Sequence, residues 1–368
     1  MLWGIVVLAI GCAAAAGTVA LTRASSGSAA APPRQAGRPS IESSPPASAA
    51  PSTSASPSAS AAVSSSVQPN ASSAAGPRLL FGIGAEADTA RGTAIVRQAP
   101  VRMLTSWYNG PNDLSWMAGW RTGTVPEAYA KGYALHLVVW TGDPEVRLST
   151  SYGPACGRTY PLSSRFTDDM RQLATIFAGS RGGPPLYVTL FTEFQTYPCA
   201  DNAWNPDAAT TNYYRALKDQ YRSAYNMFHR YAPNARVSLG WGGWQANYDD
   251  SGIGGGRSLF GHFVDLMTMS EFQSFQAMDG AGNTADITAM LAVLGRYGPV
   301  MLAHYKPDNG SQTTFDADLR AILTEGFLTA ATRAGLFAMS FMDNNNLAAS
   351  AKTFTFVKGA VVRYGRGW

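Results

Sequence analysis

From Leu79 onward the chain alternates short apolar runs with longer stretches in which apolar residues return every three or four positions. The runs are Leu79–Glu86, Val101–Asn109, Ala134–Gly142, Leu186–Thr196, Arg236–Gln245, Phe272–Asp279, Pro299–Asp308 and Gly335–Asn344. Each opens apolar and closes on polar or aromatic residues. Runs of this kind suit strands buried on both faces. Between them, Asn212–Tyr231 places Tyr213, Leu217, Tyr221, Tyr225 and Phe228 at helical spacing, and Asp316–Ala334 does the same with Leu319, Ile322, Leu323, Phe327 and Leu328. Eight strands alternating with helices predict an α/β fold, a (β/α)8 TIM barrel, whose carboxyl strand ends open onto a solvated active-site face. The alternative is a doubly wound open sheet. That fold normally has a glycine-rich phosphate loop after its first strand, where this chain has Gly82-Ile83-Gly84-Ala85-Glu86, with no third glycine and an acid in its place.

Two segments precede the barrel. Residues 1–23 hold an almost wholly apolar stretch, Leu2 to Leu21, closed by Thr22-Arg23. It is long enough to cross a bilayer but lacks a basic start, so it predicts either a signal peptide or a retained membrane anchor. Cys12 after Ala9-Ile10-Gly11 leaves lipidation open as a third outcome. Residues 24–77 are Ser, Ala and Pro with scattered Gly, and no aromatic residue occurs between Trp3 and Phe81. Such a composition cannot bury enough apolar surface to offset the entropy of ordering, which predicts a disordered linker. An extracellular or membrane-anchored, outward-facing catalytic domain over 78–368, expected as a monomer, follows from this layout.

Charge and cysteines narrow the class. The net charge of +4 comes partly from Arg23, Arg34 and Arg38; after residue 77 basic residues exceed acidic ones by two, with no basic patch or nucleic-acid motif. Cys156 and Cys199 fall in the loops after the third and fourth predicted strands, on one face of a barrel, which predicts a disulfide in an oxidising compartment. Two cysteines without a histidine pair give no zinc spacing, and no cofactor motif is present. Gly252–Ser258 lacks the Lys-Ser/Thr ending of a nucleotide loop and reads as a loop beside the cleft, while Asp308-Asn309-Gly310 lacks calcium-loop spacing.

The candidate chemistry sits at the strand ends. The run Leu186–Thr196 delivers Glu193 between Phe191 and Phe194, surroundings that favour a carboxyl group able to hold a proton for transfer. Glu193 is the candidate general acid. A second carboxylate is sought first at Asp279, on the sixth strand, and otherwise at Glu86, Asp143 or Asp343. Trp107, Tyr108, Trp140, Trp241, Trp244 and Tyr305 fall at predicted strand exits, with Trp204 in the loop after the fourth strand. Asn109, Gln195, Gln245, Gln276 and Asn344 stand beside them. Flat rings with a few directed amides suit the C–H faces and hydroxyls of sugars. His304 and Asp343 complete the candidate substrate contacts, and Lys306 stands where it would pair with an acid in the mouth, an arrangement that would also admit an anionic substrate group.

Thr105-Ser106-Trp107-Tyr108-Asn109-Gly110 in the second strand and Glu193 at the end of the fourth make the chain similar to glycoside hydrolase family 26, in the (β/α)8 glycosidase clan. The resemblance covers about Leu79 to Asn344 and implies an acid/base role for Glu193. It departs at two places: Thr192-Glu193 replaces the family's His-Glu, and His304 stands on the seventh strand where the family has its nucleophilic glutamate. Mannan would be the substrate by resemblance alone. Together these features predict an exported glycoside hydrolase acting on a polysaccharide or glycan. The rival expectations are a non-catalytic glycan-binding barrel, and a lyase with His304 or Tyr305 as base and Lys306 or Arg102 neutralising a uronate.

Overall fold

The computed structural model describes residues 76–84, 86–140, 145–195, 208–249, 259–279, 282–306, 311–342 and 344–368. Eight parallel strands close into a barrel: β1 (Leu80–Ile83), β2 (Met103–Tyr108), β3 (Ala134–Val139), β6 (Leu186–Leu190), β7 (Ala235–Trp241), β8 (Gln273–Ala277), β9 (Val300–Tyr305) and β10 (Leu336–Phe341). β1 pairs with both β2 and β10, so no edge is left and the open-sheet alternative is excluded. All eight predicted runs are strands of this wall, each shorter than its run because the polar tail belongs to the loop. Leu79 is tied beneath β1 by hydrogen bonds to Tyr364 and Arg366, at the end of the last helix, Ala351–Tyr364.

Inside the barrel the side chains form layers. Leu80, Met103, Ala134, Tyr187, Phe272, Met301 and Ala338 fill the amino-terminal end. Above them lies a polar layer. Thr105 Oγ1 contacts Ser340 Oγ at 2.7 Å and His136 Nδ1 at 3.2 Å, and His136 Nε2 contacts Thr189 Oγ1 at 3.0 Å. Ser274 donates to Ser238 at 3.1 Å. Burial alone drives the His136 pKa down to about 3, so the ring is neutral and bridges two hydroxyls through one donor and one acceptor.

Three elements depart from expectation. The stretch predicted as one helix over Asp316–Ala334 is two, Gln312–Ile322 and Glu325–Arg333. Thr324 separates them, because its hydroxyl accepts the Phe327 N–H and starts a new helix. Between β3 and β6, where only a loop was expected, an antiparallel hairpin forms from β4 (Glu145–Thr150) and β5 (Gly153–Arg158). Glu145-Val146-Arg147-Leu148 does alternate, and Gly153 takes the positive φ of 114° that the turn needs. The expected helix over Asn212–Tyr231 extends back to Ala208.

Candidate active site

The exit of β6 is bent in an unusual way. Phe191 and Glu193 both hold left-handed backbone, with φ of 59° and 60°, a conformation that costs a non-glycine residue energy and that surrounding contacts must enforce. The contacts are visible. Thr192 N–H donates to Val139 O at 3.2 Å and Phe194 N–H to Phe191 O at 3.0 Å. Phe191 stacks on Phe166 at 5.3 Å, while Phe194 packs 4.8 Å from Trp241 and 4.7 Å from Phe263. Two aromatic anchors thus grip a tight turn whose apex presents Glu193, which is only 8% exposed.

Glu193 Oε1 accepts a hydrogen bond from Gln276 Nε2 of β8. β7 stands between these two strands, and Gly240 near its end, with Gly242 and Gly243 just beyond it, leaves the space for them to meet. A Cβ on Gly240 would lie 2.8 Å from Thr189 Cγ2 and 2.9 Å from Thr192 Cα; on Gly242, 2.6 Å from Gln195 Nε2 and the Trp244 ring; on Gly243, 2.0 Å from Gln276 O. Gln195 Nε2 donates to Gly242 O at 3.4 Å across the same surface.

On the far side, a register shift where β9 pairs with β8 changes which side chains face in. Met301 and Ala303 belong to the interior, and simple alternation would turn Tyr305 inward next. The bulge turns His304 inward instead. Trp107 of β2 meets the His304 ring edge-on, centroids 4.4 Å apart, so the two cross the mouth above β1 and β10. His304 is 2% exposed, and neither ring nitrogen has a hydrogen-bond partner among the described residues. Burial first, then the Lys306 charge, lower its pKa to about 3. The imidazole is therefore neutral, with one donor and one acceptor unused.

Further buried polar atoms without partners among the described residues lie at the same strand exits: Thr192 Oγ1, Gln195 Oε1, Gln276 Oε1 and Asn344 Oδ1. Folded proteins leave few such atoms, and a cluster of them at one end of a barrel marks a place for a polar ligand. Among the described residues no group of three or more His, Cys, Asp or Glu side chains is arranged to hold a metal.

The structure brings Glu193, Gln195, Gln276, Trp107 and His304 to this opening, with the half-buried Trp244 folded over Gly242. Several candidates need correction. Trp241 is fully buried among Phe194, Phe260 and Phe263, outside the barrel wall. Tyr108 faces outward, hydrogen-bonded to Tyr160 and Asp169, and Tyr305 faces outward to Asp318 at 2.7 Å. Each follows an inward neighbour, and strand alternation sends it to the helices. Exposed Asn109 spends its amide on Asp113 at 3.0 Å, and buried Gln245 donates to Asp249 at 3.4 Å. Trp140 lies under the Arg158 guanidinium at 5.5 Å.

Asp279 is exposed and its carboxylate lies near Asp286, whose own pKa rises to about 6 through burial first and the Asp279 charge second. Gln276, not Asp279, is the β8 side chain that meets Glu193. Glu86 is half-buried at the start of the helix Ala87–Ala90 without capping it. Cys156 is disulfide-bonded. Cys199, Asp143, Trp204, Asp343, the Gly252–Ser258 and Asp308–Gly310 loops and residues 1–75 lie outside the described residues. Sequence reasoning passed over the glycines at the end of β7, although Gly240-Trp241-Gly242-Gly243-Trp244 was a visible signal of close approach.

No family model and no curated relative matches the chain. Solved glycoside hydrolases are among the structures it is similar to. One is a GH53 catalytic domain of Ignisphaera aggregans, at 13% identity and TM-score 0.41, covering 67% of this chain and 75% of that one. Another is a β-1,4-mannanase of the sea hare Aplysia kurodai, at 11% and 0.44, covering 78% and 92%. A third is a β-glucuronidase of Bacteroides uniformis, at 8% and 0.43; this chain is covered over 73% and spans 30% of that longer one. Likeness at this level does not bear on chemistry, which rests on the residues of the opening.

Proposed function

We propose that this barrel is a glycoside hydrolase in which Glu193 donates the proton to the leaving glycosidic oxygen. The observation that carries the proposal is the meeting of a buried carboxylate, held by a strained turn and by Gln276, with a set of buried polar atoms that have no partners among the described residues. A polyhydroxyl ligand supplies what those atoms lack, and the Trp107 and Trp244 rings offer apolar area to sugar C–H faces. Glycoside hydrolysis also needs a second carboxylate to act as nucleophile or as base toward water. With Asp279 exposed and Gln276 in its place against Glu193, that role passes to Glu86, Asp143 or Asp343, and substituting each by its amide identifies which. Export ahead of the barrel, through residues 1–23 and the 24–77 linker, suits a substrate outside the cell.

The test is release of reducing ends from a panel of polysaccharides. Glu193→Gln is expected to lower turnover by about 10²- to 10⁴-fold while sugar affinity persists. The presence of His304 at the β9 exit, where the resemblance would put a nucleophile, favours a second reading, a glycan-binding barrel without catalysis. Under that reading the unsubstituted protein binds glycans and releases no reducing ends.

A further inference from the structure

We infer that His304 and Lys306 form a subsite for an anionic sugar, one bearing a uronate carboxylate or a sulfate ester, beside Glu193. The inference rests on the glycan reading of the opening and names the substrate class it takes.

Three observations carry it. Lys306 N–H donates to Ala277 O at 3.2 Å, so the β9 ladder continues past Tyr305 and the Lys306 side chain leaves on the same face as His304. Lys306 is half-buried at the barrel opening, and no carboxylate lies within ion-pair distance of it among the described residues. A half-buried cation with no carboxylate beside it among the described residues is costly to keep, and an anionic ligand is the natural group to meet it. Beside it stands His304, with both ring nitrogens buried and unused. Its neutral state adds no second positive charge. It offers one N–H to the ligand's anionic oxygen and one acceptor to an adjacent hydroxyl. Gln276, the register neighbour of His304, holds Glu193 with its Nε2, so the subsite and the proton donor share one stretch of wall. The bulge in β9 makes this possible: without it His304 and Lys306 would point toward the helices.

The experiment is calorimetric binding to the full-length Glu193→Gln chain, which bars turnover. The probes are oligosaccharides of galacturonic and glucuronic acid, the same oligosaccharides after carboxyl reduction, and sulfated galactan oligosaccharides. We expect at least one acidic probe to bind about tenfold or more tightly than its neutral counterpart, a charge-assisted hydrogen bond's worth of affinity. Adding Lys306→Gln should abolish that preference, Lys306→Arg should keep most of it, and salt should erode it in the lysine and arginine forms alone. His304→Gln should reduce it in part. Carboxylate and sulfate probes separate the two sources of the charge. Equal binding of acidic and neutral probes overturns the subsite, as does an acidic preference that survives Lys306→Gln in a chain whose melting temperature is unchanged. A Lys306-dependent preference in a protein that releases no reducing ends leaves the subsite standing and removes the hydrolase reading. Hydrolysis of neutral glycans without acidic preference does the reverse.

Discussion

At Gly243 a lone hydrogen stands where any other residue would put a carbon 2.0 Å from the Gln276 carbonyl oxygen. Gly243→Ala must therefore push β7 and β8 apart at the point where Gln276 reaches Glu193. A loss of about 1–3 kcal/mol is expected in denaturant unfolding, typical of overpacking, with a disproportionate fall in activity. Gly119, whose added Cβ would meet nothing within 4 Å, is the control, and Gly119→Ala should leave both properties unchanged. Gln276→Ala is expected to lower kcat/KM by about tenfold or more without lowering the melting temperature by more than a few degrees, since it removes one donor from a charged acceptor. Residue types at the strand exits were legible in the sequence. Their direction was not: Trp107 and His304 face the opening as expected, whereas alternation sends Tyr108 and Tyr305 outward, and the inward turn of His304 depends on a bulge.

Among elements, the long helix Ala208–Tyr231 is joined to β7 and β8 through Glu271. Its carboxylate is bonded by His229 Nε2, by Tyr225 OH at 3.0 Å and by Val237 N–H at 2.8 Å. Burial works to raise the Glu271 pKa, but the hydrogen bonds from His229 and Val237 prevail and hold it below 4.5. The bond to Glu271 lifts His229 above 6.5. The signs are opposite at the two ends of the pH scale. The His229 contribution is complete below about pH 6.5 and fades as pH rises through its raised value, while the Glu271 contribution is complete above about pH 4.5 and fades as pH falls through its lowered one. The pair thus stabilises most between these limits, modestly because both side chains are about one-third exposed. His229→Gln should lower the melting temperature at pH 5.5 and leave it nearly unchanged at about pH 9. Thr324→Ala, which removes the cap separating Gln312–Ile322 from Glu325–Arg333, should cost about 0.5–2 kcal/mol. The apolar period runs through both helices, which is why their division was hidden, whereas the β4–β5 hairpin alternated visibly and was masked by the expectation of a connecting loop.

For the molecule as a whole, covalent closure adds to the barrel. Cys156 of β5 is disulfide-bonded, so reductant should lower the melting temperature by the equivalent of about 2–4 kcal/mol. Cys156→Ser should show the same loss and no further response to reductant. The eight strands, their order and the polar character of their exits are determined by the sequence alone, because a period of two in a strand and of three to four in a helix is set by backbone geometry and needs no distant partner. Which exit residues share the opening was decided only by the closed tertiary structure. Glu193 and Gln276 meet over the end of a strand where Gly240, Gly242 and Gly243 put no side chain between them, and Trp107 reaches His304 across two others. Such meetings depend on register, bulges and closure, which are properties of strands packed together and not of any one segment.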